Sequence, residues 1–191
     1  MQLVLGSSSP FRRELLDRLG LDYICDSPDI DENRLEGESA EELVVRLAIA
    51  KAQAVAERHP DALIIGSDQV AVNNGEILGK PGTHNKAVDQ LTRASGSVVT
   101  FHTGLCLYNS ASGEFQSDRV PFQVTFRQLS EQQIENYLQR EQPYNCAGSF
   151  KSEGLGIALF ERMEGNDPNA LIGLPLIRLI NMLDHFGVDV L

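Results

Sequence analysis

Three stretches of the chain carry side chains whose types and spacing suit an anionic substrate. The first is Ser7-Ser8-Ser9-Pro10-Phe11-Arg12-Arg13, where a short apolar strand (Gln2–Leu5) runs into a hydroxyl-rich loop that opens a helix at Pro10. Free N–H groups, serine hydroxyls and the positive end of the helix dipole favour an anion at such a place. The guanidiniums of Arg12 and Arg13 add charge-assisted, bidentate contacts to phosphate. Cations at a helix N-terminus are unfavourable by themselves, so a bound anion would account for them. A serine N-cap followed by two solvated arginines would produce the same letters. The GxxxxGK[ST] phosphate loop is absent.

The second stretch is the helix carrying Lys51. Leu43, Leu47, Lys51 and Val55 follow i, i+4 spacing, which puts a lysine on an apolar stripe. A lysine snorkelling from the edge of that stripe is the plainer alternative. The chain has only four lysines, Lys51, Lys80, Lys86 and Lys151. Lys80 (Leu78-Gly79-Lys80-Pro81) and Lys151 (Gly148-Ser149-Phe150-Lys151-Ser152-Glu153-Gly154) sit in turn-rich settings that often carry binding residues.

The third is Asp68, directly after the apolar run Ala62–Gly66. A carboxylate at the carboxyl end of a buried strand suits a crevice site in an α/β sheet, where it can hold Mg²⁺ or take a proton from water. An aspartate closing a strand through an Asx turn would look the same. Glu32, in the acidic loop Asp29-Ile30-Asp31-Glu32, is a second candidate carboxylate, and an acidic surface loop explains it almost as well. His59, His84, His102 and His185 show no metal or nucleophile spacing, and no GxSxG elbow points to a serine hydrolase.

The elements that must position these groups alternate between strand and helix. The pattern predicts a helix from Pro10 to Gly20 and a capping box at Ser39-Ala40-Glu41-Glu42 opening a helix to about Arg58. Thr83–Ala94 and Ser130–Arg140 read as helices, the latter capped by Ser130. Val98–Tyr108 and Phe115–Phe126 read as a hairpin turning through residues 109–113. Gly156–Arg162 reads as a strand, and Asp167-Pro168 as the start of one final helix of about four turns ending before Gly187. The fold class is α/β with a mixed, twisted sheet and flanking helices.

With 191 residues, the chain suits one domain spanning 1–191, although two small ones would also fit. Hydrophobic residues at 42% and charged residues at 23% exclude disorder, collagen and coiled coil. Asp and Glu total 27 against 16 Lys and Arg, a net charge of −11. That balance argues against nucleic acid or an anionic membrane as partner, while a few local cations still suffice for a small anion. Cys25, Cys106 and Cys146 form no metal or CxxC spacing and suit reduced thiols in the cytoplasm. The N-terminus lacks signal-peptide features, and no apolar run approaches a membrane span. Loop-borne cations and carboxylates on an acidic protein suit a polyphosphate with a divalent ion.

These motifs, together with Asp31-Glu32, Lys51-Ala52, Gly66-Ser67-Asp68 and Asp167-Pro168-Asn169-Ala170-Leu171-Ile172-Gly173-Leu174-Pro175, resemble the Maf family of nucleoside triphosphate pyrophosphatases along essentially the whole chain. The resemblance implies a two-lobed fold similar to inosine triphosphate pyrophosphatases, with a site in the cleft between lobes. It implies hydrolysis of a nucleoside triphosphate to the monophosphate and pyrophosphate with a divalent cation such as Mg²⁺. Asp68 matches the proton acceptor. Ser8, Arg12, Arg13, Lys51, Lys80 and Lys151 match phosphate-handling positions, and Glu32 with Asp68 matches a metal role. At the positions of Phe11, Gln69 and Glu153 the chain resembles the subgroup directed at 7-methyl-GTP, with Phe11 where that subgroup usually has Trp. A carboxylate at Glu153 would accept from the N1–H and exocyclic amine of guanine, and Phe11 would stack on a cationic purine. The resemblance further suggests a homodimer. Two other readings remain, the dTTP/UTP activity of the sister subgroup and a nucleotide-binding regulator of cell division.

Overall fold

Gln2-Leu3-Val4-Leu5 forms β1 (Gln2–Leu5), whose apolar run Leu3-Val4-Leu5 is buried on both faces as interior parallel strands are. It pairs in parallel with β2 (Tyr23–Cys25) on one side and with the start of β3 (Ala62–Asn73) on the other, in the register Leu3↔Leu63 and Leu5↔Ile65. Period-two alternation sorts the side chains. Leu3, Leu5, Leu63 and Ile65 join Leu15, Leu16, Leu105, Leu107, Leu174 and Leu179 in one apolar cluster. Val4, Ala62 and Ile64 join Ala48, Ala52 and Val55 in another.

Helix α1 (Pro10–Asp17) begins where sequence places it. The Ser9 side chain accepts from the Arg12 N–H, and Pro10 occupies the first turn. Helix α2 (Ala40–Ala56) opens with the reciprocal Ser39/Glu42 capping box, a device worth about 0.5–2 kcal/mol. Leu43, Leu47, Lys51 and Val55 are all buried, so the lysine does lie on the apolar stripe. Two glycines let α2 lie close on the sheet. A Cβ on Gly66 would stand 2.1 Å from the Ala48 carbonyl oxygen, and one on Gly104 2.0 Å from that of Val44. This seating brings Lys51 within reach of β3.

All residues, Met1–Leu191, are described by a computed structural model. They form a seven-stranded mixed sheet in the order β2-β1-β3-β5-β6-β7, with β4 (Glu76–Leu78) paired to β3, and with helices against it. The remaining strands are β5 (Val98–Asn109), β6 (Phe115–Phe126) and β7 (Phe160–Gly165); the remaining helices are α3 (His84–Ala94), α4 (Glu131–Glu141), α5 (Pro168–Ile172) and α6 (Leu176–His185). By contact the chain forms two units. The first comprises Met1–Gln69, Thr103–Val120 and Asp167–Leu191, and the second Val70–His102 and Pro121–Asn166. The second unit has an aromatic core of its own, in which Phe150 meets Phe101, Phe126 and Phe160 edge-on at centroid distances of 5.1, 5.6 and 4.8 Å.

Three expectations are corrected. β3 continues to Asn73, so Asp68 lies within a strand rather than after its end. The strand runs on past β1 because its last residues pair with β4, Ala71 opposite Leu78. The strand expected at Gly156–Arg162 begins at Phe160, and Leu155–Leu159 winds instead as a 3₁₀ helix. There the Gly156 N–H donates to the Lys151 carbonyl at 3.0 Å, a return that a Cβ at Gly156 would block at 2.2 Å. The single final helix is two, broken at Gly173 (φ 126°) and Pro175. Asp167, only 2% exposed, serves both starts: its carboxylate accepts from the N–H of Asn169 and of Ile177, each at 2.8 Å.

Asp26 ties the end of β2 to the chain just after α2, accepting from Arg58 Nε at 2.8 Å and contacting His59 Nε2 at 2.9 Å. The Arg58 bond, then that of His59, holds its carboxyl down at about 2. A folded value below the unfolded one, near 3.9, stabilises the fold fully above pH ~4 and loses that contribution as pH falls through about 2. Denaturant melts between pH 5 and 2 should show a steeper acid loss for this protein than for Asp26→Asn. Parallel curves would remove Asp26 from the acid response.

Candidate active site

In the first unit, Asp68 is 7% exposed, as is Lys51. The Lys51 ammonium donates to Asp68 Oδ1 at 2.7 Å and stands 3.2 Å from Glu32 Oε2. One cation thus gathers both carboxylates that the sequence singled out. Taking an ammonium out of water costs several kcal/mol unless a partner is well placed, and Asp68 is that partner.

The serine loop supplies a second cation. Ser7 Oγ accepts from the Ser9 N–H at 3.1 Å and from an Arg12 terminal nitrogen at 3.4 Å, and Arg12 Nε donates to the Gly173 carbonyl at 2.8 Å. Burial pushes the Arg12 guanidinium down from its ordinary value, and the carboxylates of Asp68 and Glu32 pull it back. Arginine's ordinary value is so high that it stays charged. Ser7 and Ser9 are consumed inside the loop. Ser8 is exposed, with its hydroxyl outside that bonding. Arg13 is exposed too, and its carbonyl accepts from the Tyr23 hydroxyl at 3.2 Å. None of the bonds at Asp68 involves Arg13.

Strand alternation explains why Ser67 and Gln69 do something different from Asp68. Ser67 Oγ donates to the Gly173 carbonyl at 3.0 Å. The Gln69 amide nitrogen donates to the carbonyls of Ala170 (2.7 Å) and Leu171 (3.1 Å) and to Thr103 Oγ1 (3.0 Å). The last carbonyls of α5, which a continuing helix would have satisfied, are therefore held by the residues flanking Asp68. Gln69 spends its donor on α5. Phe11 is half-buried on α1.

Sequence reasoning missed the clasp behind Glu32. Glu38 accepts from Arg46 Nε at 2.5 Å and from a terminal nitrogen at 2.9 Å, and from the Leu35 N–H at 3.0 Å. Arg46 also donates to the Asn33 carbonyl at 3.0 Å. The Arg46 bond, with that of Leu35, holds the Glu38 carboxyl down at about 2. The loop that presents Glu32 is thus anchored to α2. The available hint was an acidic loop followed by an arginine about two turns into a capped helix.

The second unit holds Lys80, Lys151 and Glu153. Lys80 and Glu153 are exposed. Lys151 Nζ lies 3.4 Å from Glu141 Oε1, and Glu141 also accepts from the Leu155 N–H at 2.9 Å. The Ser152 hydroxyl donates to Glu153 at 3.3 Å. The charges of all three act on Cys146: burial pushes its thiol up, Glu153 adds to this, and Lys151 and Lys80 oppose it.

No group of three or more His, Cys, Asp and Glu side chains could hold a metal ion. The available donors are the Asp68 and Glu32 carboxylates. Such a pair fits Mg²⁺, which takes one or two carboxylates and completes its shell with water and substrate phosphate oxygens.

Curated proteins named 7-methyl-GTP pyrophosphatase from Nitrosococcus oceani and Methylobacillus flagellatus are each 61% identical over 189 residues, spanning 99% of this chain and 95% and 98% of theirs. One of the same name from Pseudomonas savastanoi pv. phaseolicola is 60% identical over 188 residues, 98% of each chain. Among solved structures, the Staphylococcus aureus Ham1 protein aligns over 67% of this chain and 73% of its own, with 17% identity and a TM-score of 0.46. The family model described as Maf-like protein matches residues 2–186. The chain belongs to the Maf family.

Proposed function

We propose that this protein is a nucleoside triphosphate pyrophosphatase that hydrolyses 7-methyl-GTP to 7-methyl-GMP and pyrophosphate. The observation that carries the reading is the buried Asp68, joined to Lys51 with Glu32 and Arg12 beside it. Relatives 60–61% identical over nearly their whole length bear that activity as a name. The chain works as one functional domain over residues 1–191. Its net charge of −11 suits a small nucleotide rather than nucleic acid. The cytoplasm is the proposed location, and no helix is long and apolar enough to cross a membrane. The family resemblance supports a homodimer.

In the proposed reaction a water oxygen attacks the α-phosphorus, the bond from that phosphorus to the β-bridging oxygen breaks, and pyrophosphate departs. Asp68 takes the water proton. Lys51 occupies Oδ1 and leaves Oδ2 as the acceptor. Lys51, Arg12 and Arg13 offset charge on the phosphates, as do Lys80 and Lys151, and Ser8 offers its hydroxyl. Preorganised donors of this kind are worth about 10²–10³ in rate each. A divalent cation, held by Asp68 and Glu32, supplies further charge neutralisation when bound. Glu153 pairs with the guanine edge, Phe11 stacks on the base, and Gln69 acts on specificity through its hold on α5.

The test is a hydrolysis panel with Mg²⁺ containing 7-methyl-GTP, GTP, UTP, dTTP and ATP, scoring pyrophosphate apart from phosphate. Pyrophosphate release is expected to be fastest with 7-methyl-GTP, and Glu153→Gln should erode the purine preference more than pyrimidine turnover. A parent preference for UTP or dTTP would overturn the specificity, and binding without turnover would favour a regulatory role.

A further inference from the structure

The second unit contains a polar hub, built on the buried Ser149, that the sequence did not reveal. Ser149 is fully buried and has φ 65°, a left-handed backbone that a non-glycine residue adopts only under constraint. Gly148 before it has φ 73°, so two consecutive residues hold this conformation. The Ser149 hydroxyl donates to the side-chain carbonyl of Gln90 on α3. The Gln90 amide nitrogen donates to the Gly79 carbonyl at 3.1 Å, and the Gly148 N–H approaches the same oxygen at 3.4 Å. The amide orientation follows from chemistry. The Gly79 carbonyl only accepts, so the NH₂ must face it, which leaves the Gln90 oxygen for Ser149.

Gly79 immediately precedes Lys80, and Ser149 lies two residues before Lys151. One glutamine side chain therefore joins the roots of both lysine-bearing loops. A second tie, from the Gly82 N–H to the Tyr144 carbonyl at 2.9 Å, fixes the far end of the Lys80 loop. We propose that Gln90 and Ser149 are positioning residues that hold Lys80 and Lys151 in the arrangement that grips the substrate's phosphates. This rests on the phosphate role given to those lysines above. The strained backbone at Ser149 is retained because the bond to Gln90 and the packing around it need that conformation. Neither residue touches the reacting atoms; each acts through the lysines.

The test is a double-mutant cycle of Gln90→Leu and Lys80→Ala in the full-length protein, read by kcat/KM for 7-methyl-GTP and by inhibition with inorganic pyrophosphate. Displacing a binding group by about 1 Å costs up to ~10²-fold, so Gln90→Leu should lower kcat/KM and weaken pyrophosphate inhibition by about 10–10²-fold. In the Lys80→Ala background the same change should cost much less, since its target is gone. Ser149→Gly removes the hydroxyl at a position whose backbone favours glycine. It should melt no lower than the parent yet show the same weakened inhibition, which keeps the proposal testable even where Gln90→Leu folds poorly. Full additivity, or unchanged pyrophosphate inhibition in Ser149→Gly, would overturn the proposal while leaving the lysine assignment standing. If Lys80→Ala alone alters neither readout, the assignment of Lys80 to phosphate fails, and the positioning role falls with it.

Discussion

Asp68→Asn is expected to lower kcat by about 10²–10⁴-fold, the usual worth of a positioned proton acceptor, while nucleotide affinity changes only a few-fold. The substitution preserves shape and leaves an oxygen that can still accept from Lys51, which now reaches Asp68 at 2.7 Å. What it removes is the basic oxygen. A loss confined to turnover therefore points to proton transfer rather than to a collapsed site. The measurement is single-turnover kinetics beside calorimetric binding of 7-methyl-GTP. Turnover that survives in Asp68→Asn would remove Asp68 as acceptor, and lost binding would make it mainly a ligand organiser.

Lys51→Met is expected to damage both stability and activity. The methionine fills much of the same volume, but two carboxylates lose their shared cation, and they are not equally able to respond. The Glu32 side chain is 56% exposed and can turn to water, whereas that of Asp68 is 10% exposed and cannot. Removing one partner of a buried pair typically costs about 3–5 kcal/mol, a large share of the roughly 5–15 kcal/mol that holds a domain folded. Adding Asp68→Leu to Lys51→Met should recover much of that stability, because the buried carboxylate no longer stands without its ammonium, while Glu32 remains to face Arg12. Activity should stay absent in the double variant. Denaturant melts check the first claim and initial rates the second. A Lys51→Met protein as stable as its parent would show that the pair is already solvated.

The parts of this site legible in sequence are those written in local spacing. The Leu43–Leu47–Lys51–Val55 stripe follows from helical periodicity, and the structure buries all four residues. The Ser9 cap and the Ser39/Glu42 box depend on contacts three residues apart, which is why the starts of α1 and α2 are as expected. Contacts between distant residues were not legible. The helix break at Gly173 looks unnecessary until Arg12 and Ser67, 161 and 106 residues away, are seen to need that carbonyl. The glutamine at 90 reads as one more polar residue on an amphipathic helix, and its partners Gly79 and Ser149 lie 11 and 59 residues away. The length of β3 is hidden for a related reason: Gly66 looks like a strand terminator, yet it is glycine because α2 lies against it.

In the proposed reaction water attacks the α-phosphorus. Hydrolysis of 7-methyl-GTP in ¹⁸O-labelled water, with products separated and weighed by mass spectrometry, reads this directly. The proposed reaction predicts one labelled oxygen in 7-methyl-GMP and none in pyrophosphate. Label in pyrophosphate would place the attack on the β-phosphorus, and label in free phosphate would mean attack on the γ-phosphorus. Either would contradict the role assigned to Asp68.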